Sequence, residues 1–203
     1  MKTFNKFIVI ILLIICFLLF KSTNKYFSSG NTNTQDKLNN TLLFILKKLN
    51  NNNIQNWFVA YGTLLGIIRE DSCINGDDDI DIICNIEDYD IIKELLTNNG
   101  FIIDYGYGLN KSKNILKTKS SSKHASIDFY MCKIDDKGNF KDDWEAVLWS
   151  NCYINDKKLI KYRWKDTMLY LPNNFETKLK NRYGEKWKIP QNSKGPKPRK
   201  KIL

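Results

Sequence analysis

Tyr61-Gly62-Thr63-Leu64-Leu65-Gly66, then Arg69, then Asp77-Asp78-Asp79-Ile80-Asp81-Ile82: the architecture of this chain can be built outward from these residues. The alternation after Asp78 has period two. It places Asp79 and Asp81 on one face of a strand and Ile80 and Ile82 on the other. Two carboxylates side by side on a strand face repel, and such a pair is tolerated when a cation sits between them. The Gly62-Thr63 turn before a short helix offers backbone N–H groups to an anion such as phosphate. Thr63 could equally act as a plain helix cap.

Elements on either side give a mixed order. Leu38, Leu42, Ile45, Leu46 and Leu49 recur at helical spacing, and Asn50 to Asn53 end that helix. Trp57 to Tyr61 reads as a buried strand, and Asp79 to Cys84 as the next. Glu87 to Asn98 reads as a helix stopped by Gly100, and Phe101 to Asp104 as a strand. Tyr105 to Lys123 is rich in Gly, Ser and Lys and reads as loop. Ala125 to Cys132 reads as a strand containing Asp128, with a turn at Asp135 to Asn139. Cys152 to Ile160 suggests a hairpin. Pro172 precedes a last helix, Asn173 to Tyr183, with Gly184 as its stop. The order predicts an α/β (α+β) domain over residues 36–190, a mixed β-sheet flanked by helices.

The 203 residues suit one domain and a terminal appendage. Phe7 to Phe20 is an unbroken apolar run between Lys2 and Lys6 on one side and Lys21 and Lys25 on the other. It is short for a bilayer span and is read as an uncleaved signal anchor over residues 1–25 in preference to a cleaved peptide. The flanking lysines balance, and the free amino terminus tips the count slightly toward an N-in orientation, with the domain expected on the luminal side of the secretory pathway, in the endoplasmic reticulum or Golgi. Residues 26–35 read as a linker. The net charge of +10 is concentrated in a basic tail, residues 191–203, which is expected to be disordered. Solvation is the plainest role for that tail; attraction to anionic headgroups or nucleic acid is the other. Of five cysteines, Cys73, Cys84, Cys132 and Cys152 lie in the domain with no C-x-x-C spacing, which argues against zinc. They could supply one disulfide or remain buried thiols.

Asp79 and Asp81 need a third ligand if they hold a metal. Asp128, inside the apolar strand Ile127-Asp128-Phe129-Tyr130-Met131, is the candidate, because an isolated buried carboxylate there would cost several kcal/mol. Mg2+ or Mn2+ suits such oxygen ligands, and one Asp could take the proton of an attacking hydroxyl. Arg69 could meet phosphates or pair with Glu70 or Asp71. Asp77 and Asp78 read as loop-solvating residues and His124 as a surface residue. Counting from Asp71, an EF-hand is excluded by Cys73 and Ile82 at ligand positions.

Tyr61-Gly62-Thr63-Leu64-Leu65-Gly66-x-x-Arg69 followed by Asp77-Asp78-Asp79-Ile80-Asp81 resembles the signature of LicD-type transferases. That family includes bacterial phosphocholine transferases, fukutin and fukutin-related protein. Leu171-Pro172-Asn173-Asn174-Phe175-Glu176 through Leu179, Arg182-Tyr183-Gly184 and Trp187 to Pro190 is similar to its closing motif. The resemblance implies a nucleotidyltransferase-like fold. It implies catalytic and metal-binding roles for Asp79, Asp81 and Asp128, and donor phosphate binding by Gly62, Thr63 and Arg69. It further implies a metal-dependent transfer of a phosphorylated alcohol, of the phosphocholine or ribitol-phosphate type, from a CDP-linked donor to a glycan hydroxyl. Asn75-Gly76 stands where the family often has Pro-Trp, and Glu70-Asp71 departs from its basic or polar residues. Two alternatives stand beside this: an NTP-dependent enzyme acting on nucleic acid, which a membrane anchor disfavours, and a non-catalytic accessory domain, which the intact aspartates disfavour.

Overall fold

The first helix starts where the sequence supplies a cap. Thr34 Oγ1 accepts from the Lys37 N–H at 3.3 Å, and helix α1 runs Gln35–Asn51. Its apolar stripe, Leu38, Leu42, Ile45, Leu46 and Leu49, is fully buried. The structure, a computed structural model, describes residues 33–106, 112–190 and 201–203. The expected anchor, residues 1–25, lies outside these. Among the described residues no helix is long and apolar enough to cross a membrane.

Strand β1 (Trp57–Val59) leads at once into helix α2 (Tyr61–Glu70). Tyr61, expected at the end of the strand, is instead the first residue of the helix, with φ at 42°. Strand β2 (Asp79–Asn85), a 3-10 turn (Ile86–Asp88), helix α3 (Tyr89–Asn98) and strand β3 (Ile102–Ile103) follow. The stretch expected to be loop contains strand β4 (Ile115–Lys119), in which Ile115, Leu116 and Thr118 are buried. Its lysines hid the strand, since they keep the hydropathy low while the backbone still pairs with β5 (Ser126–Ile134).

The main sheet has the order β1-β2-β5-β4-β3. β2 and β5 are parallel, and the other pairs on this path are antiparallel. β5 extends past β2 to pair with β6 (Phe140–Asp142), which pairs with β7 (Val147–Trp149). The mixed α/β architecture expected from the sequence is present. The late hairpin is displaced, however. Cys152 to Ile160 contributes only an isolated Asn155–Lys158 bridge, while the hairpin proper is β8 (Ile160–Trp164) with β9 (Thr167–Leu171). It packs on the end of α1 and on α2. Asn50 Nδ2 donates to the Met168 carbonyl at 2.8 Å, and Trp164 Nε1 to that of Asp71 at 2.9 Å.

Helix α4 (Phe175–Tyr183) ends at Gly184 as expected. Two segments read as appendages are bound into the domain. Asn33 is buried, and its amide donates to the Asp78 carbonyl at 2.7 Å, so the end of the supposed linker belongs to the fold. Lys201 to Leu203 pair with β7 through Leu148 and Ser150, in place of the disorder expected for that end of the tail. Residues 191–200 of the tail lie outside the described residues. All four domain cysteines are free and buried. His124, expected at the surface, is buried and stacked on Phe101 with centroids 4.3 Å apart.

Candidate active site

The sheet brings three carboxylates into one row. Asp79 and Asp81 share a face of β2, and the parallel register sets Asp81 opposite Asp128 on β5. On the other side of β5, Lys117 of β4 is opposite Asp128. The row therefore ends in an ammonium. Lys117 Nζ donates to Asp128 Oδ2 at 2.6 Å and to Asp79 Oδ2 at 3.3 Å.

Helix α2 begins directly against this row. The Gly62 N–H donates to Asp81 Oδ2 at 2.9 Å. The Asp81 N–H donates to Thr63 Oγ1 at 2.9 Å, and the Ala60 N–H to the Asp81 carbonyl at 3.0 Å. Gly62 and Thr63, read from the sequence as phosphate ligands, thus fasten the helix end to the carboxylate strand. A Cβ at position 62 would stand 2.7 Å from Asp77 Oδ2 and 3.2 Å from Asp81 Oδ2, so those carboxylates would have to shift. Tyr130 OH donates to Asp81 Oδ1 at 3.1 Å, which occupies that oxygen too.

Burial sets the protonation of the row. The carboxyls of Asp79, Asp81 and Asp128 are all pushed above the usual carboxylate range, chiefly by burial. For Asp81 the fields of Asp79, Asp77 and Asp128 add to it. Asp128 is pushed up to about 8, by burial and then by Asp79. Lys117 is held above its ordinary value, the fields of Asp128 and Asp79 outweighing its own burial.

Whether these groups suit a divalent cation is decided by what their oxygens are doing. Asp128 Oδ1 is buried with no hydrogen-bond partner. An orphaned buried carboxylate oxygen beside two further carboxylates is oxygen-donor chemistry of the kind a hard cation such as Mg2+ or Mn2+ takes. The row is not a closed cage as it stands. Among the described residues no three Asp, Glu, His or Cys side chains converge on one point that would hold a metal. The ammonium of Lys117 stands between Asp79 and Asp128.

Arg69 is not brought to this row. It stands in the last turn of α2, about 12 Å along the axis from Tyr61 at 1.5 Å per residue. Its guanidinium pairs with Glu70, Nε at 2.7 Å from Oε1. The structure adds residues that the sequence reading passed over. Asp77 reaches the start of α2 and is no mere loop-solvating group. Tyr130 lies two residues beyond Asp128 on the same face, a position the period-two rule could have found. Lys117 had no such signal, being one of several lysines in a stretch read as loop.

A second buried network lies behind the helix end. Tyr61 OH donates to Asp142 Oδ2 at 2.5 Å, and Trp149 Nε1 donates to Tyr61 OH at 3.3 Å. Arg182 of α4 lies over the Tyr61 ring, its Cζ 4.7 Å from the centroid, and pairs with Glu145 at 3.2 Å. Residues of the closing segment thereby support Tyr61, the left-handed residue immediately before Gly62.

Residues 53–174 match the family model described as LicD/FKTN/FKRP, nucleotidyltransferase domain. No curated protein matches the chain. Among solved structures, the chain is similar to the lincosamide antibiotic adenylyltransferase LnuA in its lincomycin-bound form. Identity is 15%, covering 70% of this chain and 82% of that one, with a TM-score of 0.49. It is similar also to terminal uridylyl transferase 4 from Trypanosoma brucei with bound GTP. There identity is 8%, covering 55% and 34%, with a TM-score of 0.33.

Proposed function

The chain belongs to the LicD/FKTN/FKRP family, and from that premise we propose that it is a metal-dependent transferase. In this reading it moves a phosphorylated alcohol, of the phosphocholine or ribitol-phosphate type, from a CDP-linked donor to a glycan hydroxyl. The observation that carries the reading is the row of Asp79, Asp81 and Asp128 set against the start of α2, with Asp128 Oδ1 unsatisfied.

Asp79, Asp81 and Asp128 would hold Mg2+ or Mn2+, which when bound supplies neutralisation of the donor's phosphates and of the charge on the leaving CMP. The protein's own residues do the rest. Gly62 and Thr63 hold Asp81 at a fixed angle through its carboxylate and its backbone N–H. The partial positive end of α2 faces the same space, which favours an anionic donor there. One aspartate of the row would accept the proton of the acceptor hydroxyl. Tyr130 keeps Asp81 from turning away by holding Oδ1.

We further propose that residues 7–20 anchor the domain to a membrane of the secretory pathway, with the domain luminal, where glycan acceptors are built. Nucleic acid has no part in this reading. The test is to incubate purified protein with Mg2+ and CDP-linked alcohols or NTPs, and to score CMP against pyrophosphate. CMP release that depends on a glycan acceptor supports the reading, and pyrophosphate release from an NTP would replace it.

A further inference from the structure

The carboxylate row contains its own cation, and the place it takes is informative. Lys117 Nζ lies 2.6 Å from Asp128 Oδ2 and 3.3 Å from Asp79 Oδ2, so one ammonium serves two carboxylates on different strands. Those carboxylates are nearly inaccessible, Asp79 at 15% and Asp128 at 8% side-chain exposure, while Lys117 keeps 28%. Two buried carboxylates without a counter-charge would be strongly destabilising, so the ammonium makes the empty row tolerable. It does not complete it. Asp128 Oδ1 still has no partner. A purely structural ion pair would leave no orphaned oxygen.

We propose that Lys117 is the resident counter-ion of the row, holding the position between Asp79 and Asp128 that a divalent cation takes, so that ion and ammonium exchange there. The proposal rests on the reading of Asp79, Asp81 and Asp128 as metal ligands. The partial exposure of Lys117 gives the displaced ammonium a way out of the row toward solvent. Its flexible stem can make that move without disturbing β4, which is held to β5 by backbone pairing from Ile115 to Lys117. The domain then folds with its carboxylates already in place before any metal arrives.

The test uses the full chain and Mn2+ alone, measured by calorimetry against wild type and Lys117→Met. Removal of the competing charge should tighten Mn2+ binding by at least about tenfold. It should also lower the melting temperature in EDTA, with Mn2+ restoring more stability to the variant than it adds to wild type. Equal or weaker Mn2+ affinity in the variant, or no Mn2+ binding to either protein, overturns the proposal. If Lys117→Met does not fold, wild-type protein decides through lysine acetylation read by mass spectrometry. Lys117 should react several-fold faster in saturating Mg2+ than in EDTA, with Lys47 and Lys180 unchanged as references. An unchanged Lys117 rate overturns the exchange. Loss of exchange with donor turnover intact counts against this proposal alone; exchange without CDP-donor turnover supports it and counts against the transfer reading.

Discussion

Two buried acidic centres lie on either side of the start of α2, and they are built in opposite ways. Asp142, on β6, has both carboxylate oxygens satisfied: Tyr61 OH on Oδ2 at 2.5 Å, and the N–H groups of Trp144 and Glu145 on Oδ1 at 2.9 and 3.0 Å. It has no second carboxylate beside it in a strand row and serves as a tie between chain segments. Asp79, Asp81 and Asp128 lie in one row, in which one ammonium pairs with Asp79 and Asp128 and leaves Asp128 Oδ1 without a partner. Asp142 is enclosed by donors on both oxygens, as Asp81 is by Gly62 and Tyr130, whereas Asp128 is left with an oxygen that has none.

The sharpest way to break this contrast is to neutralise each centre. Asp79→Asn or Asp81→Asn should cost at least about 10²-fold in transferase activity, because the proposed metal position is lost. The fold should survive, and the melting temperature in EDTA should hold or rise as like charges are removed. Activity within a few-fold of wild type would end the assignment of the row.

Asp142→Ala should do the reverse. It strands Tyr61 OH and two backbone N–H groups, at about 1 kcal/mol each, so urea denaturation should report a loss of about 3 kcal/mol. Protein still folded under assay conditions should retain most of its turnover. A large drop in turnover with unchanged stability would place Asp142 in the site.

Gly62→Ala probes the boundary between the two centres. The new methyl would press on Asp77 Oδ2 and Asp81 Oδ2, turning the carboxylates away from the row. An activity loss of about tenfold with a small change in melting temperature is expected, a cost of roughly 1.4 kcal/mol in the transition state. Wild-type kinetics in this variant would mean that the tight approach of Gly62 is packing only.

The remaining test is of pH. Asp128 titrates near 8 when folded and near 4 when unfolded, so the native state binds the extra proton between those values. Stability contributed by this group is greatest at the acid end and declines as pH rises from about 4 to about 8. Melting in EDTA should show that decline, and Mn2+ should flatten it. A rise over the same window would contradict the assignment, since it would require a lowered carboxyl.

Most of the site was legible locally. Asp79 and Asp81 could be placed on one strand face because period-two alternation needs only four residues, and Asp128 was betrayed by its apolar strand. Gly62 and Thr63 stand at the helix start as expected, where they also hold Asp81 of the same chain, a contact across 18 or 19 residues that no local pattern signals. Arg69 stands in the last turn of α2 and pairs with Glu70, one of the two partners its sequence neighbours offered. The strand β4 was hidden by its lysines, and with it Lys117. The hairpin β8–β9 was misplaced because Asn155, Asp156 and the lysines nearby mimic a hairpin turn, whereas packing on α1 favours the next pair of segments.

The sequence by itself determined the alternation of β2, the capped and amphipathic α1, and the family signature in residues 61–81. These depend on neighbours a few positions apart. Only the tertiary structure decided that Asp81 faces Asp128 and that Asp128 faces Lys117. It alone set Asp142 apart from the row, by giving it Tyr61 as a donor. Those relations are set by strand register and by burial across long stretches of chain. A one-residue slip would send every one of these side chains to the other face of the sheet.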